Sequence, residues 1–307
     1  MTPTATYYKA FPPGWSNIQV PTHSKAATLA GIATYTPCGP KGLWGQRAAW
    51  ALTKVGGARL LPGRKRLWTP PIAAEPWQTL LEELTVAVGR FDSHTVYERR
   101  RGRRGLLMLL LEGDKPVGFV KAAEGNPPGI AREEEALLAA ERIGVDSFAS
   151  PRVLGSGIVA DWRYVIASPM PPLMHRMLNR APSEDILEDI SRVLANIEKP
   201  ADLPTGWEPF HGDFSPWNLR HIGGGTPWLI DWEDAGWAPP RADWVFYVAT
   251  AHALGYPITS EALDRSEAVE YWWEEVNRRA REKLDSGLAL RQLDYGLMEA
   301  FAAGARS

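Results

Sequence analysis

A chain of 307 residues has the length for two modest domains, each with its own core. Its 34 Lys and Arg against 36 Asp and Glu leave a net charge of −2, so neither nucleic acid nor an anionic membrane is expected as a partner. Apolar residues at 45% and charged residues at 23% are an ordinary globular balance, and the single Cys38 excludes an intrachain disulfide and any multi-cysteine zinc site. No basic segment leading into an apolar core follows Met1, and the longest apolar run, Leu106–Leu111, is too short to span a bilayer. A reducing, cytoplasmic setting is the expectation.

Residues 1–43 are rich in Pro and Gly and read as extended segments and turns. Leu43–Val55 has helical apolar spacing and stops at Gly56-Gly57, and Pro76 suits the first turn of a helix carrying Trp77, Leu80, Leu81 and Leu84. Four strands are predicted next: Thr85–Val88, Thr95–Tyr97, Leu106–Leu111 and Val117–Ala122, the last two forming a hairpin through Gly113-Asp114-Lys115. A helix over Ile130–Ile143 ends at Gly144, and strands resume at Val153–Val159 and Arg163–Ala167. Ser168–Pro172 breaks regular structure and reads as a linker. Beyond it lies a helix, Ser183–Glu198, with Ser183 at its N-cap and a stripe of Ile186, Leu187, Ile190, Val193, Leu194 and Ile197. A motif-dense stretch, 210–244, precedes a charged helical remainder through Ala303. Strands first and helices later predict an α+β chain with a sheet-rich N-lobe and a helical C-lobe, divided as 1–84 (an extension packed on or part of the N-lobe), 85–170 and 171–307.

The densest chemical signal is Phe210-His211-Gly212-Asp213-Phe214-Ser215-Pro216-Trp217-Asn218, with Asp231 thirteen residues further on after Trp228-Leu229-Ile230. Phosphoryl transfer needs an acceptor hydroxyl held in line, a carboxylate to take its proton and metal ions on the phosphate oxygens. Asp213 and Asn218, five apart in a tight loop, can supply a carboxylate and a neutral oxygen ligand, and Asp231, leaving a short apolar strand, an anionic one. Such hard oxygen donors suit Mg²⁺. The bland alternative is a turn in which Asp213 caps a helix and His211 packs in the core; for His211 alone that structural role is preferred.

His211-Gly212-Asp213 with Asn218, then Ile230-Asp231-Trp232 and Gly236, Pro239 and Asp243, resembles the aminoglycoside phosphotransferase and choline kinase family, which has a protein-kinase-like two-lobed fold. The resemblance is specific over 210–244, moderate over 106–172 and absent over 1–84. It implies Asp213 as catalytic base, Asn218 and Asp231 as Mg²⁺ ligands, and Asp243 as a structural acid bracing the loop, with His211 in the same supporting role. It implies ATP or GTP as phosphoryl donor and a small hydroxylated molecule as acceptor. It also asks for an N-lobe lysine on the phosphates, paired with a helix glutamate. Lys121, in the second arm of the hairpin, fits the first; Glu134 is preferred over Glu133 and Glu135, as sharing a face with Ile130, Leu137 and Leu138.

No Gly-x-Gly-x-x-Gly precedes Lys121. Gly89–His94 resembles the family's phosphate loop by sequence, whereas Arg99–Gly105, with Gly102 and Gly105, fits by distance from Lys121 and is preferred. The alternatives are a choline- or ethanolamine-type kinase and a non-catalytic nucleotide- or sugar-binding protein on a kinase scaffold; the intact set Lys121, Asp213, Asn218 and Asp231 speaks against the second. A hydrolase built on His211 and Asp213 lacks the further ligands of a two-metal centre. Eight of the 14 tryptophans lie from Trp207 to Trp273, and Trp217, Trp232 and Trp237 flank the motifs. Core packing is the usual role of Trp, and stacking on a sugar-like acceptor is the functional one. Asp264, Glu267, Glu270, Glu274 and Glu275 could attract a cationic acceptor, but interleaved with Arg278, Arg279, Arg281 and Lys283 they read in preference as a solvated helix.

Overall fold

The computed structural model describes residues 7–12, 18–35, 37, 40–98, 105–171, 173, 175–178, 180–223, 225–256 and 266–282. The chain divides into two compact units, the first comprising 1–130 and 151–175, the second 131–150 and 176–307.

The first unit begins with β1 (Tyr7–Phe11), β2 (Ile18–Pro21), α1 (Lys25–Ala33), α2 (Pro40–Gly56), β3 (Arg66–Leu67) and α3 (Ala74–Val88). It continues through β4 (Ser93–Glu98), β5 (Leu106–Glu112) and β6 (Lys115–Glu124) to the start of α4 (Pro128–Ile143), and resumes with β7 (Val153–Val159) and β8 (Trp162–Ala167). The eight strands form one sheet in the order β3-β1-β2-β4-β5-β6-β8-β7, antiparallel at every pairing. The β5–β6 hairpin turns at Gly113, whose φ of 63° explains the glycine. Residues before 85 thus supply three strands of the same sheet.

Two expectations fail here. Thr85–Val88 is the last turn of α3, not a strand. Its β-branched residues favour a strand locally, but Leu80, Leu81 and Leu84 bury a helical stripe that Ala87 and Val88 extend against Met108, Leu110 and Ile166. Within 1–43, β1 and β2 are extended as expected, but Lys25–Ala33 is a helix. Ser24 caps α1 by accepting from the Ala27 backbone at 3.0 Å, and the small residues let it lie close to the sheet. A Cβ on Gly31 would stand 2.4 Å from Val20 Cγ1.

Period-two alternation places Val120 and Ala122 on the face packed by α3, so Lys121 falls on the other face with Phe119 and Ala123. It is not a solvated strand residue: only 6% of it is exposed.

The second unit takes up α4 from Ala131, and then β9 (Arg176–Met177), α5 (Glu184–Leu194), β10 (Glu208–Phe210), β11 (Leu219–His221) and β12 (Trp228–Leu229). It continues with β13 (Gly236–Ala238), α6 (Ala242–Ala253) and α7 (Glu267–Glu282). Its strands make two small sheets, β12-β11-β9 and β10-β13. Ser183 sits at the N-cap of α5 as expected, although its side chain makes no capping bond. Helix α7 buries Ala268, Val269, Trp272 and Val276 against α6 and turns its acidic residues outward, where Glu275 pairs with Arg278. Asp264 and the chain beyond 282 lie outside the described residues. The α+β class, with a sheet-rich first unit and a mainly helical second, is borne out. Among the described residues no helix is long and apolar enough to cross a membrane.

Candidate active site

In the second unit, β10 delivers the chain into the loop at His211. The imidazole is fully buried: the Asp213 N–H donates to Nδ1 at 3.3 Å, so Nε2 carries the proton and donates to the Ile230 carbonyl at 3.1 Å. Its ring packs on Trp232 at a centroid distance of 4.6 Å. Both ring nitrogens of His211 are thus bonded within the loop. Gly212 follows at φ 83°, where a Cβ would meet the Asp234 carbonyl oxygen at 2.0 Å, so both backbone and space demand glycine.

Asp243, on the first turn of α6, receives the loop. One carboxylate oxygen accepts the His211 N–H at 2.7 Å and the other the Gly212 N–H at 3.2 Å. Burial pushes its carboxyl up to about 7; the two backbone donors pull the other way, and the nearby Glu208 adds repulsion.

Asp213 is half-buried, and its partner in the loop is Asn218, whose Nδ2 donates to the Asp213 carbonyl at 2.9 Å and to Oδ2 at 2.8 Å. With both amide hydrogens used, Asn218 presents its Oδ1 as a neutral oxygen. The Ser215 carbonyl accepts from the backbone of Asn218 at 3.0 Å and of Leu219 at 2.9 Å, closing the loop into one turn. Ile230 N–H then donates to the Asn218 carbonyl at 3.1 Å, so β11 holds the residue that precedes Asp231. Asp231 itself has φ 72° and ψ 59°, a left-handed conformation that a non-glycine residue keeps only when its surroundings enforce it. Among the described residues no three His, Cys, Asp or Glu side chains converge on a metal position. The donor set that remains, one amide oxygen and one carboxylate, fits an ion that completes its shell with phosphate oxygens and water, as Mg²⁺ does.

In the first unit, Lys121 pairs in register with Leu107 on β5 and Val165 on β8. Of the α4 glutamates, Glu133 is buried at 5% exposure, Glu134 is half-buried and Glu135 exposed. The face assumed for Glu134 does not exist as drawn, because Leu138 is 48% exposed; the buried stripe is Ile130, Glu133, Ala136, Leu137 and Ala140. Gly102 and the arginine run lie outside the described residues, while Gly105 is half-buried directly before β5. The other candidate loop is tied down: Asp92 accepts from the Gly113 N–H at 2.9 Å. His94 lies on β4, bonded to the Tyr8 hydroxyl at 3.0 Å amid Trp68 and Trp77.

The tryptophans separate by burial. Trp232 is fully buried and offers no face to an acceptor, and Trp237 carries the Lys199 ammonium 4.9 Å from its ring centroid. Trp217 is half-buried.

The chain is similar, at 13% identity and a TM-score of 0.45, to a putative fructosamine-3-kinase from Haemophilus somnus, covering 73% of this chain and 97% of that one. It is also similar to an aminoglycoside phosphotransferase from Streptomyces rimosus in complex with ADP and streptomycin, at 14% identity and a TM-score of 0.40, with 72% and 96% covered. An amicoumacin kinase in complex with AMP-PNP, Ca²⁺ and Ami gives 14% identity, a TM-score of 0.42 and coverage of 75% and 91%. None of the curated proteins matches. Residues 172–275, which hold the whole loop from His211 to Asp243, match the phosphotransferase enzyme family, and the family resemblance read from those motifs is borne out there.

Proposed function

We propose that this chain transfers the γ-phosphoryl group of ATP or GTP to a hydroxyl of a small molecule, a sugar, amino sugar or aminoglycoside. The observation that carries the reading is the Asn218 amide bonded to both the backbone and the carboxylate of Asp213, which fixes a candidate base beside a candidate metal ligand in one loop.

In this reading Asp213 accepts the proton of the acceptor hydroxyl as its oxygen attacks the γ-phosphorus and the nucleoside diphosphate leaves. Asn218 Oδ1 and an Asp231 carboxylate oxygen would hold Mg²⁺, which when bound neutralises the phosphate oxygens. Lys121 would grip the α and β phosphates, with a glutamate of α4 as its counter-charge. The connection from Glu98 to Leu106 is the proposed phosphate cover, since Lys121 stands opposite Leu107, one residue past its end. His211 and Asp243 do no chemistry; they hold the loop. For the acceptor, Trp217, half-buried where Trp232 is fully buried, is the indole proposed to stack on a pyranose.

The test is a panel of aminoglycosides, amino sugars, neutral sugars, choline and ethanolamine, incubated with Mg·ATP or Mg·GTP and read by mass spectrometry of the phosphorylated acceptor. A sugar or aminoglycoside product is expected. Efficient phosphorylation of choline or ethanolamine alone would overturn the acceptor assignment.

A further inference from the structure

Trp272 lies on α7, some thirty residues beyond the last motif, with no exposed surface. Its indole N–H donates to the Ala242 carbonyl at 2.7 Å. Its ring lies 4.4 Å from that of Phe246 and 6.1 Å from that of Phe210, centroid to centroid. Ala242 immediately precedes Asp243, and Phe210 immediately precedes His211. The side chain thus touches the neighbour of each partner in the 2.7 Å bond by which Asp243 holds the catalytic loop.

We propose that Trp272 is a positioning residue for the transfer reaction, setting the separation between the start of α6 and the end of β10 and thereby the placement of Asp213. The proposal rests on the phosphotransferase reading above. Two features distinguish this position from plain core packing. The indole bond fixes Ala242 in direction as well as distance, which an apolar contact cannot do. Tyr271 packs edge-on against both Trp272, at 5.4 Å, and Phe210, at 6.0 Å, so the same helix grips the end of β10 twice. Small displacements matter at such a site, because in-line transfer depends on the base and acceptor being held to within a fraction of an ångström.

The experiment compares Trp272→Phe, which keeps a ring and removes the N–H, with Val276→Ala, a buried residue of the same helix and core. Amide hydrogen exchange is followed at His211 and Gly212, with kcat and KM for Mg·ATP measured on the acceptor giving most product in the panel. Trp272→Phe should unfold cooperatively, exchange these two amides about tenfold faster, and lose about tenfold in kcat with KM for Mg·ATP within about twofold of wild type. Val276→Ala should lose stability without changing either loop exchange or kcat. Unchanged exchange in Trp272→Phe, or faster exchange with unchanged kcat, overturns the proposal. So does a Val276→Ala variant with the same loop and rate defects, which would reduce Trp272 to core packing. A wild-type chain that phosphorylates no acceptor, while Trp272→Phe still frees the two amides, contradicts the phosphotransferase reading instead.

Discussion

Ile230 joins the side chains on which the proposed chemistry depends. Its N–H is bonded to the Asn218 carbonyl and its carbonyl to the His211 imidazole, and Asp231 follows it directly. A disturbance at any of these positions therefore reaches the others through the backbone of one residue, and the left-handed backbone of Asp231 leaves that carboxylate little freedom to readjust. Asp231→Ala, which removes the proposed anionic metal ligand, should weaken Mg²⁺-dependent nucleotide binding by about tenfold or more. Asn218→Ala should do less to binding and more to turnover, because Asn218 also orients Asp213. Titration calorimetry with Mg·ATP separates the two, and unchanged affinity in Asp231→Ala would contradict the metal assignment.

Helix α4 shows how far an element can be read before its packing is known. Its existence and its end were legible, since Gly144 takes φ 68° and closes the helix through a 3.1 Å bond from its N–H to the Ala140 carbonyl. Which glutamate faces inward was not legible, because Glu133, Glu134 and Glu135 are consecutive and the assumed apolar face included the exposed Leu138. Of the three, Glu133 is the one that folding buries. Glu133→Gln should lower Mg·nucleotide affinity about tenfold and Glu134→Gln less than about threefold; the reverse order in equilibrium binding would restore the assignment made from sequence. The same limit explains α1 and the end of α3. The alanines and glycine of α1 have no periodic stripe, and Thr85–Val88 has strand-forming residues in a segment whose packing keeps it helical. The loop from His211 to Asp243 was legible because its chemistry needs particular residues at fixed spacings. The indole of Trp272 carries no such spacing, and only folding brings it to Ala242.

For the molecule as a whole, two buried groups act on stability in opposite directions as pH changes. Burial lowers the His94 imidazole from 6.5 to about 4, with His23 adding repulsion. Its stabilisation is full only well above pH 6.5, where neither state is protonated, and is lost as pH falls towards 4, because the unfolded chain binds a proton that the folded chain refuses. Asp243, raised from 3.8 to about 7, retains a proton on folding that the unfolded chain releases, so its contribution is lost as pH rises through 7. Between pH 4.5 and 6.5 the two slopes oppose. Replacing His94 by Phe should therefore leave the falling slope exposed, and the urea-unfolding difference between wild type and His94→Phe should grow steadily from pH 4.5 to 7; a constant difference would contradict the buried neutral histidine. The central claim, that this chain is a phosphotransferase with Asp213 as its base, is tested most directly by one comparison. Phosphorylated acceptor is measured from Mg·ATP for wild type and Asp213→Ala, with nucleotide affinity determined alongside. The account predicts a loss of at least ~10² in turnover with nucleotide affinity nearly unchanged. An Asp213→Ala variant that retains more than about a third of the wild-type rate would contradict it.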